Sequence, residues 1–131
     1  MEKKIDERTF DFALKVVDLY KYLTGNKEYI LSKQMLRAGT SIGANVQEAQ
    51  AAQSKADFIS KMSIASKEAR ETKYWLRLLS KSGYLNGYSR KAETLAEVDS
   101  IINIITKIVK TTSQKKDSTN SKPKTQNPKL L

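Results

Sequence analysis

Both prolines of this 131-residue chain, Pro123 and Pro128, lie in its last segment. Proline interrupts helices because it lacks an amide hydrogen and its ring collides with the preceding turn. Before that segment, apolar residues recur at intervals of three and four, which is the period of an amphipathic helix. The body of the chain is therefore predicted to be all-α.

The periodic part divides into four segments, each ended by turn residues or by a change in composition. The predicted helices span roughly residues 9–23, 29–52 (or 32–52), 54–82 and 89–109. The third begins at Ser54, whose hydroxyl is predicted to cap the helix while Asp57 reaches back to the first turn. Because the connections are short, the predicted fold is an antiparallel up-down-up-down four-helix bundle.

Each predicted helix carries an apolar face that should contribute to one core. In the first helix this face comprises Phe10, Ala13, Leu14, Val17, Tyr20 and Leu23, and in the second it comprises Leu31, Met35, Ala38, Ile42, Val46 and Ala49. In the third helix it comprises Phe58, Met62, Ala65, Ala69, Leu76 and Leu79, and in the fourth Leu95, Val98, Ile101, Ile102, Ile105, Ile108 and Val109.

The composition changes after Lys110 to Thr, Ser, Gln, Asn, Lys and Pro. Such a segment buries too little apolar surface to offset the entropy of ordering it. We therefore predict a helical domain at residues 1–110 and a disordered basic tail at 111–131. The tail holds five lysines against one aspartate, so +6 of the total charge of +10 belongs to the helical domain. This charge favours polyanionic partners such as RNA, DNA or an acidic protein.

The chain contains neither histidine nor cysteine. Histidine is the most common general acid or base near neutral pH, and both residues are common metal ligands. The Glu-x-x-His motifs of di-iron bundles are also excluded. We therefore expect no enzyme, no metal and no cofactor. An enzyme would instead need a buried carboxylate or lysine in a pocket.

The sequence predicts a soluble cytoplasmic protein with no membrane contact. It has no run approaching the roughly 18 to 20 apolar residues of a membrane-spanning helix. Its charged N-terminus, residues 1–8, does not lead into the unbroken apolar stretch of a signal peptide. The absence of cysteine fits a reducing compartment.

Two stretches of the sequence carry a recognisable pattern. The first, at 31–49, is carried by Gln34, Arg37, Ala38, Ser41, Ile42, Ala44, Asn45 and Glu48. The second comprises 57–58 and 64–79, followed by Gly83-Tyr84. Together they resemble the signature of one bacterial protein family, whose members are encoded in intervening sequences of large-subunit ribosomal RNA genes and are also called four-helix-bundle proteins.

The resemblance covers most of residues 8–109 and implies an antiparallel bundle that assembles as a ring of five. It also implies a relationship to the accessory proteins of diversity-generating retroelements, which bind nucleic acid and a reverse transcriptase. Gly43 departs from the family pattern, since many members carry proline there, and the tail has no counterpart.

Gly39 and Gly43 lie one turn apart in the second predicted helix. Each costs a helix about 1 kcal/mol relative to alanine, so a close helix contact should offset that cost. The contact is either packing within one chain or packing between subunits.

Ser41, Asn45 and Glu48 share a face of the same helix at spacings of four and three. Their polar groups are predicted to form a buried network that hydrogen-bonds neighbouring helices and fixes their register. The alternatives are that these three residues form a contact between subunits or bind a ligand.

A basic band on the third helix is the candidate nucleic-acid site. Cations next to aromatic residues, here Tyr74 and Trp75, can hold phosphates and stack on bases. A solvated face with pairs such as Lys67 with Glu71 is the competing interpretation, and Trp75 alone favours a core or interface position. The band comprises Lys67, Arg70, Lys73, Arg77 and Lys81.

These patterns predict a non-enzymatic, homo-oligomeric protein that binds nucleic-acid phosphates without reading base sequence. RNA is favoured over DNA, and a pentamer over other oligomers, only through the family resemblance. The alternative is a protein-interaction scaffold or accessory subunit, in which the positive charge serves solubility or steering and a protein is the partner.

Overall fold

The computed structural model describes residues 3–115, which form four α-helices. Each helix packs against the next in sequence, and α1 closes the bundle against α4. This confirms the predicted antiparallel four-helix bundle. The helices are α1 (Ile5–Gly25), α2 (Leu31–Gln50), α3 (Lys55–Lys81) and α4 (Lys91–Gln114).

The longest helix, α3, has a capping residue before its first turn and a glycine turn after its last. The backbone amide of Asp57 donates to Oγ of Ser54 over 3.0 Å, as predicted, and Oδ2 of Asp57 accepts from the amide of Gln53. At the other end Gly83 has φ 89°, and the amide of Tyr84 donates to the carbonyl of Leu79. At about 1.5 Å per residue, α3 extends roughly 40 Å.

The core lies between all four helices and follows the predicted faces of α2, α3 and α4 closely. In these three helices each predicted residue is either buried or partly buried against the core. The α3–α4 loop adds Leu85 and Tyr88 to it. The largest fully buried side chains are Phe12, Leu19, Leu23, Met35, Ile42, Met62, Leu76, Leu79, Leu85, Ile101 and Ile105.

The predicted core face of α1 is confirmed only for Leu23, which is buried, and for Tyr20, which is partly buried against the core. Phe10 and Leu14 are 59% and 56% exposed, and Ala13 and Val17 are only partly buried. Apolar residues cover two adjacent faces of α1, so periodicity alone cannot choose between them. The residues that α1 buries are Thr9, Phe12, Val16, Leu19 and Leu23.

The fourth helix continues beyond the predicted domain boundary. It ends at Gln114, so residues 111–114 form its last turn rather than the start of a tail. Extending a helix whose preceding turn already packs against the core costs little free energy, even for polar residues. The remainder of the predicted tail, residues 116–131, lies outside the described residues.

The two glycines of α2 allow close packing against α1 of the same chain. A Cβ at Gly39 would lie 2.7 Å from Cγ2 of Val16. At Gly43 it would lie 3.3 Å from the carbonyl oxygen of Thr9. The close contact predicted from these glycines is therefore intramolecular packing, the first of the two interpretations.

Candidate nucleic-acid interface

Two of the five cations of the basic band, Arg70 and Lys73, contact α4. Nζ of Lys73 lies 2.8 Å from Oδ1 of Asp99, and Nη2 of Arg70 donates to Oγ1 of Thr106 over 3.2 Å. These two contacts fix the orientation of the band, because both partners belong to α4. The ion pair with Asp99 also neutralises the charge of Lys73.

The remaining cations of the band have no acidic partner within 4.0 Å among residues 3–115. Arg77 and Lys81 are exposed and make no hydrogen bond or ion pair in that part of the chain. Lys67 acts on Glu71 electrostatically without forming the predicted i,i+4 ion pair. Arg70 has only the neutral hydroxyl of Thr106. Most of the band therefore keeps its positive charge available to a ligand.

The two aromatic residues beside the band, Trp75 and Tyr74, differ in how far they are packed against the rest of the protein. Trp75 packs partly against the core, and its Nε1 donates to Oε2 of Glu71 over 3.0 Å. Tyr74 is 55% exposed and meets the Trp75 ring edge-on, with centroids 5.0 Å apart and planes at 75°. Tyr74, rather than Trp75, is thus the aromatic side chain that a ligand can reach.

A small open cleft of about 190 Å³ lies between α3 and α4 at the level of Arg70. Its lining combines three hydroxyl groups, one guanidinium and one apolar side chain. Within the described part of the chain, no carboxylate lines it. The lining residues are Ser63, Ser66, Arg70, Thr106 and Val109.

Ser41, Asn45 and Glu48 do not form the predicted buried network between helices. Oγ of Ser41 donates to the carbonyl of Arg37, and Nδ2 of Asn45 donates to the carbonyl of Ser41, so both bonds stay within α2. Glu48 is exposed. Serine and asparagine side chains readily bond to the preceding turn of their own helix, which spacing alone does not reveal.

A charge cluster joins α2 to α3 next to Lys67 of the basic band. Nη2 of Arg37 lies 2.7 Å from Oε2 of Glu71, and Nη1 lies 3.3 Å from Oε1 of Glu68. The hydrogen bond from Trp75, followed by that from Arg37, holds the pKa of Glu71 below its usual value. Sequence reasoning missed this cluster because its members come from two helices whose register was unknown.

The outer face of α1 is a second candidate surface. Phe10 and Leu14 lie one turn apart and are both more than half exposed. An exposed pair of large apolar side chains marks a binding surface when it belongs to a contiguous patch. The partly buried Ala13 and Val17 extend this patch.

Within residues 3–115, no group of three or more Asp or Glu side chains is arranged to hold a metal ion. No helix in the same range is long and apolar enough to cross a membrane.

Comparison with known proteins identifies a family and a similar solved structure. A family model described as "23S rRNA-intervening sequence protein" matches residues 1–116. The crystal structure of a protein of unknown function from the S23 ribosomal protein family of Bacteroides thetaiotaomicron VPI-5482 is 44% identical, with a TM-score of 0.78. That similarity covers 82% of this chain and 99% of the other. No curated protein matches the chain in sequence.

Proposed function

This chain belongs to the 23S rRNA-intervening sequence protein family, and from that premise we propose that it is a non-enzymatic, oligomeric RNA-associated protein. Its basic band on α3 binds nucleic-acid phosphates. The observation that carries the proposal is the exposure of Arg70, Arg77 and Lys81 without an acidic partner in the described residues. On a helix face that served only solubility, we would expect the cations to be paired with acidic residues three or four positions away, since such pairs stabilise solvated helices.

The chemistry of the band suits a phosphate backbone rather than a particular base sequence. Lysine and arginine that neutralise phosphates release condensed counterions, and this gives affinity without sequence information. Along α3 the cations recur every three or four residues, so a strand lying along the helix meets one at nearly every turn. The family's name supports RNA over DNA.

The absence of histidine and cysteine supports a binding function over catalysis. Aspartate, glutamate and lysine remain as candidate acids and bases. The one buried acid among them in the described chain, Glu28, accepts hydrogen bonds from the backbone amides at the start of α2, which is a structural role.

Self-association is the second part of the proposal. The patch formed by Phe10, Ala13, Leu14 and Val17 supports it, because monomers rarely expose contiguous apolar surface without a use. The family resemblance implies a pentamer. A ring would repeat the basic band in each subunit, and repeated weak phosphate contacts on one polyanion raise the overall affinity.

The test is binding of labelled structured RNA and a matched DNA duplex across a series of salt concentrations. We expect Arg77→Ala and Lys81→Ala each to weaken binding and to lower the slope of log affinity against log salt by about 1. Lys73→Ala is the matched control, because Asp99 already neutralises Lys73. Its slope should change less than those of the other two variants.

Two further outcomes decide the proposal. If a chain ending at Lys115 loses all binding, the tail rather than α3 is the binding element. If the full chain binds neither RNA nor DNA at low salt, the phosphate-binding function is wrong.

A protein-interaction scaffold is the second candidate function, and the exposed patch on α1 favours it. In that case Phe10 and Leu14 would contact a different protein rather than another copy of this chain. Apolar contacts persist at high salt, whereas phosphate contacts weaken steeply. Retention of a protein partner at high salt, lost in Leu14→Glu, would support the scaffold.

A further inference from the structure

We propose that the α3–α4 surface selects unpaired nucleotides, with a phosphate in the cleft beside Arg70 and the adjoining base stacked on Tyr74. This inference rests on the proposed nucleic-acid function and adds a substrate class to it. It assigns the stacking role to Tyr74, although Trp75 is the larger aromatic residue.

The cleft has the chemistry of a phosphate site. Arg70 presents five N–H donors, of which the described structure uses one, toward Oγ1 of Thr106. That bond positions the guanidinium at the cleft and leaves its other donors for an anion. The hydroxyls of Ser63 and Ser66 line the same cleft. Three hydroxyl groups and a guanidinium, with no carboxylate in the described lining, match the acceptor oxygens of a phosphate.

Tyr74 lies one turn beyond Arg70 on the same side of α3. Side chains four residues apart on a helix have Cβ atoms about 5–6 Å apart, which is comparable to the distance from phosphate to base within one nucleotide. A nucleotide seated in the cleft therefore places its base next to the Tyr74 ring. Arg77, one turn further on, then lies where the next phosphate of the strand would pass.

The Tyr74 ring is supported without being covered. Its edge-on contact with Trp75 restrains it, and the hydrogen bond from Trp75 to Glu71 restrains Trp75 in turn. Tyr74 is nevertheless 55% exposed, so it remains accessible to a ligand. A restrained, exposed ring loses little side-chain entropy when a base stacks on it.

This arrangement favours unpaired over paired nucleic acid. In a duplex the bases are stacked on their neighbours and unavailable to a tyrosine, so a duplex contacts only the cations. A base in a loop, a bulge or a single strand can stack on the ring. Stacking is tolerant of sequence because every base has a π-face.

The experiment compares three probes of similar charge, which are a short oligouridylate, its abasic counterpart and a duplex RNA. We expect Tyr74→Leu to weaken oligouridylate binding about 5- to 150-fold, the range for loss of one stacked base, and to leave abasic and duplex binding unchanged. Tyr74→Phe should bind like the wild type. Tyr29→Leu is the matched control, since Tyr29 is 57% exposed but precedes α2 at the end of the bundle.

Trp75 supplies an independent readout, because it is the only tryptophan and its ring contacts Tyr74. Oligouridylate should change its fluorescence in the wild type, and abasic probe should change it less. Arg70→Lys should weaken all three probes, because the cleft loses its guanidinium fork while the charge is kept.

The outcomes separate this inference from the proposed function. If the wild type binds all three probes and Tyr74→Leu changes none of them, or weakens all equally, the stacking role is wrong while phosphate binding stands. If the wild type binds no probe, both are wrong.

Discussion

The hydroxyl of Tyr88 donates a 2.6 Å hydrogen bond to Oδ2 of Asp18, which ties the α3–α4 loop to α1. The Tyr88 ring also packs against Tyr22 of α1, with centroids 4.9 Å apart. Next to Tyr88, a Cβ at Gly87 would lie 2.9 Å from the Tyr22 hydroxyl, so a larger residue at this position would require the Tyr22 side chain to shift. These contacts position the start of α4 against α1.

Tyr88→Phe should reduce the free energy of unfolding by about 1–2 kcal/mol. The substitution keeps the ring and removes one hydrogen bond to a charged acceptor. Asp18 is half exposed, so water can replace the lost donor and keep the loss at this modest level. Urea denaturation followed by circular dichroism measures the difference. A variant as stable as the wild type would show that ring packing alone holds the loop.

The same hydroxyl predicts a loss of stability at alkaline pH. Burial, followed by the hydrogen bond to Asp18, raises the pKa of Tyr88 above its ordinary value. Because the folded state resists deprotonation, the contribution of Tyr88 is complete below about pH 10 and falls as the pH rises further. The difference in unfolding free energy between wild type and Tyr88→Phe should therefore shrink above pH 10. A constant difference would contradict the raised pKa.

Gly39→Ala should destabilise the bundle by about 1–2 kcal/mol. The new methyl group would overlap both γ-carbons of Val16, whose branched side chain cannot swing away. Part of that cost is offset because alanine is a better helix former than glycine by about 1 kcal/mol. Thermal denaturation measures the net effect.

Two companion variants make the Gly39 test specific. Gly25→Ala is the control, since nothing lies within 4 Å of the added Cβ in α1, and its stability should equal that of the wild type or exceed it by up to about 1 kcal/mol. Combining Gly39→Ala with Val16→Ala should cost less than the sum of the single changes, because the two side chains compete for one space. Strict additivity would mean that the two residues do not meet.

How well each core face could be predicted depended on how the helix distributes its apolar residues. In α2 the opposite side is polar or small, so Met35, Ile42 and Val46 have one possible orientation. In α1 both Phe12 and Phe10 belong to plausible apolar stripes. The choice between them follows from the glycine contacts of α2, which accommodate Thr9 and Val16, and those contacts require the tertiary structure.

The position of the candidate site on α3 was predictable from the sequence, but the ion pairs of its residues were not. Spacing alone places Lys73 and Arg77 on one side of α3. It does not show that Asp99 neutralises Lys73 and leaves Arg77 free, since that depends on the register of α4 against α3. For the same reason it did not distinguish the exposed Tyr74 from the restrained Trp75.

Glu28 is a helix cap that sequence reasoning missed, and Glu28→Ala should cost about 1–2 kcal/mol. Its carboxylate accepts from the amides of Leu31 and Ser32 over 2.9 and 2.6 Å, and from Ile30 over 3.2 Å. An acidic residue just before an apolar periodic segment was the available signal.

The Glu28 cap also predicts a loss of stability in acid. Burial raises the pKa of Glu28, but the backbone amides that it accepts from outweigh this and hold the pKa below its ordinary value. The contribution is thus complete above that ordinary value of 4.5 and is lost as the pH falls below it. Unfolding free energies of wild type and Glu28→Gln should converge from pH 6 toward pH 3. Parallel curves would show that the charge of Glu28 is not what caps α2.

Phe10 and Leu14 provide the test of self-association. If the proposed pentamer uses this face, light scattering should give five times the chain mass of 14.8 kDa for the wild type, at low and at high salt. Leu14→Glu should lower that mass, because burying an unpaired charge at an apolar contact is costly. It should leave helicity unchanged, since Leu14 is 56% exposed in the subunit.

Ile30→Gln is the matched control for Leu14→Glu, as Ile30 is 74% exposed but lies just before α2. A monomeric wild type would refute the oligomer, and equal loss of mass in both variants would place the contact elsewhere than on α1.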